Sequence, residues 1–120
     1  MKVRLVTYKG DDVDLAFSLP ESGASIGREP GNLIQLPDPK VSKQHAFVGM
    51  SGGGWTIEDL RSTNGTLVNG ARVKTARLKV GDRVGIGPFE LVFQTHVDGE
   101  DWLPSHVIDL SSRAVQRTLS

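Results

Sequence analysis

The 120-residue chain is long enough for one domain with its own hydrophobic core, and with no cysteine it gives no sign of its redox compartment. Fourteen basic and fourteen acidic residues cancel, which argues against a general nucleic-acid or membrane-surface binder. The N-terminus has no apolar stretch like a signal peptide and no window approaches a membrane span, so we expect a soluble, cytoplasmic protein without membrane insertion.

Short apolar runs with an alternating pattern predict about ten β-strands and no helix before residue 97. Residues 3–8 and 13–19 alternate on either side of a turn at Gly10, which predicts an N-terminal hairpin. The later strands are predicted at residues 24–28, 33–34, 46–50, 55–60, 66–68, 72–73, 76–78, 84–86 and 89–93. Many short strands at close spacing favour an all-β sandwich.

Two Asn-Gly dipeptides, Asn64-Gly65 and Asn69-Gly70, flank a three-residue apolar run. Asn-Gly is the strongest short signal for a tight hairpin, because both residues tolerate the positive φ that a type I′ turn requires. The sequence therefore predicts tight reversals at 64–65 and at 69–70, with a very short strand between them.

Three separate loops place polar donors next to predicted strands. Arg28 ends one strand, Ser42 and Lys43 precede a second, and Thr63 and Asn64 precede a third. Binding residues concentrate on such loops, and donors of these types suit an anion, a phosphate first of all. Between residues 40 and 83 the chain has eight basic and three acidic residues, which adds positive charge around two of the loops.

The order and spacing of these motifs resemble those of forkhead-associated (FHA) domains. The matching pieces are Gly27-Arg28, Ser42-x-x-His45, Asn64-Gly65, Val68-Asn69-Gly70 and Leu78-Lys79-Val80-Gly81-Asp82. The likeness runs from about residue 3 to residue 95. It implies an eleven-stranded antiparallel β-sandwich whose loops at one end bind phosphothreonine peptides, with no catalysis, cofactor or metal.

The resemblance also implies roles for individual residues. Five positions match residues that contact the phosphopeptide in this family: Arg28, Ser42, Lys43, Thr63 and Asn64. Among them Arg28, Ser42 and Thr63 would contact the phosphate, Lys43 would add a further phosphate contact, and Asn64 would hold the peptide backbone. Four positions are assigned to shaping the loops: Gly27, His45, Gly65 and Asn69.

We divide the chain into an FHA phosphopeptide-binding domain at 1–97 and a tail or linker at 98–120, where apolar residues from Val107 onward allow a short helix. The expected partner is a phosphothreonine-containing protein, either a substrate or the autophosphorylated form of a Ser/Thr kinase, and not nucleic acid. We expect a monomer. An open alternative is that a phosphorylated Thr118 in the tail is itself a ligand, bound within the same molecule or by a second copy through self-association.

Two other functions compete on the residues alone. A phospho-independent scaffold or oligomerisation domain would use the same sandwich and its basic face. A hydrolase would use Ser42 as nucleophile, His45 as base and Asp59 as orienting acid. However, Ser42 and His45 point to opposite faces of an extended chain, and no nucleophile elbow is present. The histidines at 45, 96 and 106 are too scattered for a recognisable metal site.

Overall fold

The computed structural model describes residues 2–10, 12–96 and 107–109. These residues form twelve β-strands: β1 (Lys2–Lys9), β2 (Asp12–Ser18), β3 (Ala24–Gly27), β4 (Ile34–Gln35), β5 (Ala46–Ser51), β6 (Gly54–Asp59), β7 (Thr66–Val68), β8 (Ala71–Val73), β9 (Thr75–Arg77), β10 (Arg83–Ile86), β11 (Phe89–His96) and β12 (Val107–Asp109). The all-β prediction is confirmed. Within the described ranges no helix is long and apolar enough to cross a membrane.

The strands are arranged in two sheets. One has seven strands in the order β12-β2-β1-β11-β10-β7-β8, and the other has five in the order β4-β3-β5-β6-β9. Neighbouring strands are antiparallel except in two pairs, β3 with β4 and β2 with β12. The predicted hairpin of the first two strands is confirmed, with Leu5 opposite Phe17.

The core lies between the sheets because alternate residues of each strand point to the same side. The seven-stranded sheet contributes Leu5, Leu91 and Phe93, and the five-stranded sheet contributes Ile26 and Ile57. Each of these side chains is at most 3% exposed. Burying a side chain of this size stabilises the fold by roughly 1.5–3 kcal/mol, so the core fixes where the loops leave the sheets.

The two Asn-Gly dipeptides have different structures. Asn69 and Gly70 both have positive φ, 53° and 84°, and they join β7 to β8 as the predicted two-residue turn. At the other dipeptide only Gly65 has positive φ, so the type I′ reversal predicted at 64–65 is wrong. The physical reason is that β6 and β7 belong to different sheets and do not pair. Residues 60–65, which we call the crossover loop, carry the chain between the sheets, and Arg61 has φ 58° there.

Part of the predicted tail belongs to a sheet. In β12, Val107 and Ile108 lie opposite Ala16 and Phe17 of β2, in a parallel pairing. The apolar spacing allowed a helix at these positions, but they are extended, as β-branched residues next to an open strand edge favour. The division of the chain at 97/98 stays a prediction. The other tail positions, Thr118 included, lie outside the described residues.

Candidate functional site

Three loops form a groove at one end of the sandwich. They are residues 28–33 between β3 and β4, residues 36–45 between β4 and β5, and the crossover loop. The groove has a volume of about 470 Å³. Its lining includes all five predicted phosphopeptide contacts, Arg28, Ser42, Lys43, Thr63 and Asn64, together with Pro39, Lys40, Val41 and Gln44. The fold therefore brings together residues up to 36 positions apart in the sequence.

Arg28 is held by its backbone and leaves its side chain available. Its N–H donates to the Ser42 carbonyl at 2.9 Å, and its carbonyl accepts from Nε2 of Gln35 at 3.2 Å. The guanidinium is exposed and has no hydrogen bond or ion pair within the described part of the chain. Its fork of five N–H donors is thus free to bind an anion.

Gly27 and Asn32 hold the first two loops in contact. Gly27 is buried, and a side chain there would overlap the Lys43 carbonyl oxygen and come within 2.6 Å of Nδ2 of Asn32. Asn32 Nδ2 donates to the carbonyls of Glu29 at 2.9 Å and Lys43 at 2.8 Å. Glycine is required here because the two backbone segments approach closely. Their contact positions Lys43 beside Arg28.

Ser42 links its loop to the crossover loop. Ser42 Oγ accepts a hydrogen bond from the Thr63 backbone N–H at 3.0 Å. A hydroxyl that accepts one bond still has its own hydrogen to donate, so Ser42 retains a donor for a ligand. The two walls of the groove are joined before any ligand arrives.

Asn64 is fixed by one of its two amide hydrogens. Nδ2 donates to the Lys40 carbonyl at 2.8 Å. The side chain is exposed, so the second N–H and the Oδ1 oxygen remain available. One donor and one acceptor at a single position match the needs of a peptide backbone, the role that was predicted for Asn64.

His45 lies beneath the groove and joins two of its loops. The ring is fully buried; Nδ1 accepts from the Ser42 backbone N–H at 3.1 Å, and Nε2 lies 2.9 Å from the Gly65 carbonyl oxygen. These partners assign the ring hydrogen to Nε2, which donates to Gly65. The ring thus links the loop of residues 36–45 to the crossover loop.

The hydrolase alternative fails on geometry. Ser42 Oγ is bonded to Thr63, and His45 contacts the backbone of Ser42 and not its hydroxyl. Asp59, the candidate orienting acid, bonds Ser62 and Thr66. A Ser-His-Asp relay needs each side chain bonded to the next, and neither link is present.

The crossover loop is shaped by a network that the sequence did not reveal. Asp59 accepts hydrogen bonds from the N–H of Ser62 at 3.1 Å, from its hydroxyl, and from the Thr66 hydroxyl at 2.7 Å. Ser62 Oγ in turn accepts from the Gly65 N–H at 3.0 Å. The one signal in the sequence that could have indicated this network is the Asp-x-x-Ser spacing of Asp59 and Ser62, while Asn32 had no signal beyond its place in a turn-rich loop.

Asn69 lies apart from the groove, at the other end of β7. Its Nδ2 donates to Asp82 at 3.0 Å, and its Oδ1 accepts from the Arg83 N–H at 3.0 Å. It therefore shapes the β7–β8 turn and the start of β10, and not the ligand-binding loops.

The carboxyl groups of Asp59 and Asp82 should make the stability of the domain sensitive to acid. Burial raises the pKa of Asp59, but hydrogen bonds from Ser62 and Thr66 outweigh burial and hold the pKa below its ordinary 3.8. The Lys79 backbone N–H and the Asn69 side chain lower the pKa of Asp82 in the same way. A carboxyl whose pKa is lower when folded stabilises the fold above its unfolded-state pKa, and this is lost as the pH falls through the folded value.

Melting temperature should therefore hold near neutral pH and fall from about pH 4 downward. Thermal melts across this range test the expectation. Asp82→Asn should be less stable at neutral pH and lose less stability on acidification. A domain whose stability is already lost near pH 6, or is unchanged at pH 2.5, would contradict this assignment.

Residues 24–87 match the FHA domain family, and this is more than half of the chain. The chain belongs to the FHA domain family. This FHA domain is 40% identical over 97 residues to the glycogen accumulation regulator GarA of Mycolicibacterium smegmatis, covering 81% of the chain and 61% of GarA. It is 41% identical over 111 residues to the ABC transporter ATP-binding/permease protein Rv1747 of Mycobacterium tuberculosis, covering 88% of the chain and 12% of the transporter. The chain thus spans about three fifths of GarA and an eighth of the transporter.

Solved structures agree with this assignment. An FHA domain studied for phosphothreonine-dependent interactions is 33% identical, with a TM-score of 0.72 over 81% of this chain and 99% of the solved one. Mycobacterium tuberculosis EmbR, in complex with a low-affinity phosphopeptide, is 29% identical, with a TM-score of 0.74 over 83% of this chain and 26% of EmbR. The predicted FHA sandwich is confirmed, as is the predicted class, an FHA phosphothreonine-binding module. The roles of individual residues stay predictions.

Proposed function

We propose that the groove binds a phosphothreonine of a partner protein, with Arg28 as the principal phosphate ligand. The observation that carries the proposal is the exposed Arg28 guanidinium, which has no partner within the described residues and lines the same groove as Ser42 and Thr63. A phosphothreonine at neutral pH has nearly two negative charges and three acceptor oxygens. Charge-assisted bonds from an arginine fork are among the strongest that such a group can receive.

The other groove residues would complete the phosphate shell. Ser42 donates its hydroxyl hydrogen, Lys43 adds a point charge, and the Thr63 hydroxyl supplies another donor. Asn64 holds the peptide main chain on one side of the phosphate. The Lys40 and Lys43 side chains are exposed at the groove and raise its positive potential.

The hydrogen bonds between the loops favour binding because the loops are already ordered without the peptide. Ser42 to Thr63, Asn64 to Lys40 and His45 to Gly65 are joined across different loops. Ordering a loop on binding costs free energy that subtracts from affinity. A groove already held by these bonds avoids most of that cost.

We also propose a partner and a cellular role for the domain. The partner would be a protein phosphorylated on threonine, either a kinase substrate or the autophosphorylated kinase, and the domain would act as a signalling adapter. GarA is named as a regulator of glycogen accumulation, and regulation by docking to phosphorylated proteins is the role we propose here. A cytoplasmic location is part of the proposal, because the ligand is made by enzymes that use ATP.

Calorimetric titration with three versions of a degenerate peptide pool tests the proposal. The threonine is phosphorylated in the first, replaced by phosphoserine in the second and unmodified in the third. We expect saturable binding of the phosphothreonine pool, about fivefold or more weaker binding of the phosphoserine pool because one buried methyl is lost, and none of the unmodified pool. Equal binding of all three would contradict the proposal and support the phospho-independent scaffold.

A further inference from the structure

A second groove lies on the other side of the crossover loop. Thr63 and Asn64 line the phosphate groove, whereas Arg61 and Ser62 line the second one. Its volume is about 800 Å³, and its remaining lining residues come from the end of β6 and from the stretch that joins β8 to β9: Glu58, Asp59, Arg72, Val73, Lys74 and Thr75. We call it the flanking groove. Its position beside Asn64 places it next to any peptide bound at the phosphate site.

Arg72 connects the flanking groove to the phosphate site. An ideal Cβ built on Gly65 would lie 2.6 Å from Nε of Arg72 and 3.0 Å from its Cζ. The guanidinium therefore lies against the backbone of the residue that follows Asn64, where the absence of a side chain at Gly65 leaves room for it. A peptide whose main chain is held at Asn64 would therefore have this guanidinium as a near neighbour.

The three basic side chains of the flanking groove form no ion pair with its two carboxylates. The side chains of Arg61, Arg72 and Lys74 are exposed, and none forms a hydrogen bond or ion pair with another described residue. Two carboxylates share the groove. Asp59 already accepts hydrogen bonds from Ser62 and Thr66. Glu58 lies opposite Thr75 in the β6–β9 pair, one residue further from the crossover loop than Asp59.

Arg61 also occupies an unfavourable backbone position. Its φ of 58° lies in the left-handed region, which glycine and asparagine enter at least cost. Keeping an arginine there costs backbone energy, although its side chain forms no hydrogen bond or ion pair with another described residue. Such an outlier points to a role for the side chain outside the fold.

We infer that the flanking groove binds a second anionic group of the same peptide, a carboxylate or a second phosphate within a few residues of the phosphothreonine. Arg72 is its main contact, with Arg61 and Lys74 supplying further charge. An extended peptide advances about 3.3 Å per residue, so a side chain one to three positions away passes over Gly65 and Arg72. This subsite rests on the proposed phosphothreonine function and adds sequence preference to it.

Titrations at low salt with matched phosphothreonine peptides test the inference. At each of the three positions on either side, the peptide has glutamine, glutamate or phosphoserine in turn. At one position, glutamate should bind about three- to tenfold tighter than glutamine, and phosphoserine tighter still if the groove accepts a second phosphate. The ratio of the affinity for the glutamate peptide to that for the glutamine peptide should fall towards one in Arg72→Gln. It should also decrease in Arg61→Gly, in which glycine can adopt the positive φ of this position.

Arg77→Gln is the matched control. Arg77 is an exposed arginine on β9 that lies against the β5–β6 turn, away from both grooves. The ratio should be unchanged in this variant. The inference is overturned if glutamate gives no advantage at any position, or if its advantage survives Arg72→Gln, while binding still requires the phosphothreonine. Failure of the proposed function looks different: the glutamine peptide then binds equally with and without its phosphate, and both proposals fall.

Discussion

Replacing Arg28 with alanine is expected to abolish measurable binding of phosphothreonine peptides while the domain stays folded. Each charge-assisted hydrogen bond contributes about 1.5–3 kcal/mol, so losing a two-bond fork should weaken binding by more than about a hundredfold. The side chain is exposed and makes no contact that the fold needs. Stability should therefore change by no more than about 0.5 kcal/mol. Calorimetry measures the first effect and thermal melting the second.

Two comparisons make the Arg28 result specific. Arg28→Lys keeps a positive charge but loses the planar fork, so it should recover only part of the affinity. Arg77→Ala removes an exposed arginine far from the groove and should bind like the wild type. Undiminished binding by Arg28→Ala would mean that the partner is recognised elsewhere, as the scaffold alternative requires.

Replacing His45 with alanine is expected to destabilise the domain by about 3–5 kcal/mol. The ring is fully buried, and its loss leaves a cavity and two backbone groups, the Ser42 N–H and the Gly65 carbonyl, without their partners. For a domain of this size the melting temperature should fall by more than about 12 °C. The remaining folded protein should also bind phosphopeptide more weakly, because Ser42 and the crossover loop lose their common support.

A graded series separates the hydrogen bonds of His45 from its volume. His45→Gln retains much of the volume and can still donate and accept, so its melting temperature should lie between those of the wild type and His45→Ala. If His45→Ala melts within a few degrees of the wild type, the ring does not hold the two loops together.

The strands and the groove were predictable because their signals are local. Alternation at residues 3–8 and 13–19 predicted the first hairpin, and Asn69-Gly70 predicted its turn correctly because the strands on either side pair with each other. The predicted binding residues share one groove because each ends or precedes a strand whose direction the core fixes.

The features that escaped prediction depend on partners distant in the sequence. Asn64-Gly65 and Asn69-Gly70 are the same dipeptide. Whether it forms a tight hairpin turn depends on whether the strands before and after it belong to the same sheet. Asn32 is important because of the Lys43 carbonyl, eleven positions away. The pairing of β12 with β2 joins residues about ninety positions apart, and no local pattern encodes such a contact.

That pairing also affects how a shortened version of the chain should behave. β2 has β1 on one side and β12 on the other. Without residues 107–109, one side of β2 would present unpaired N–H and C=O groups, the kind of open seam along which strands of different molecules join. A protein cut after residue 97 would thus expose the backbone groups at Ala16, Phe17 and Ser18 that β12 pairs in the longer chain. We therefore expect a protein cut after residue 97 to self-associate more readily than one that retains residues up to Asp109.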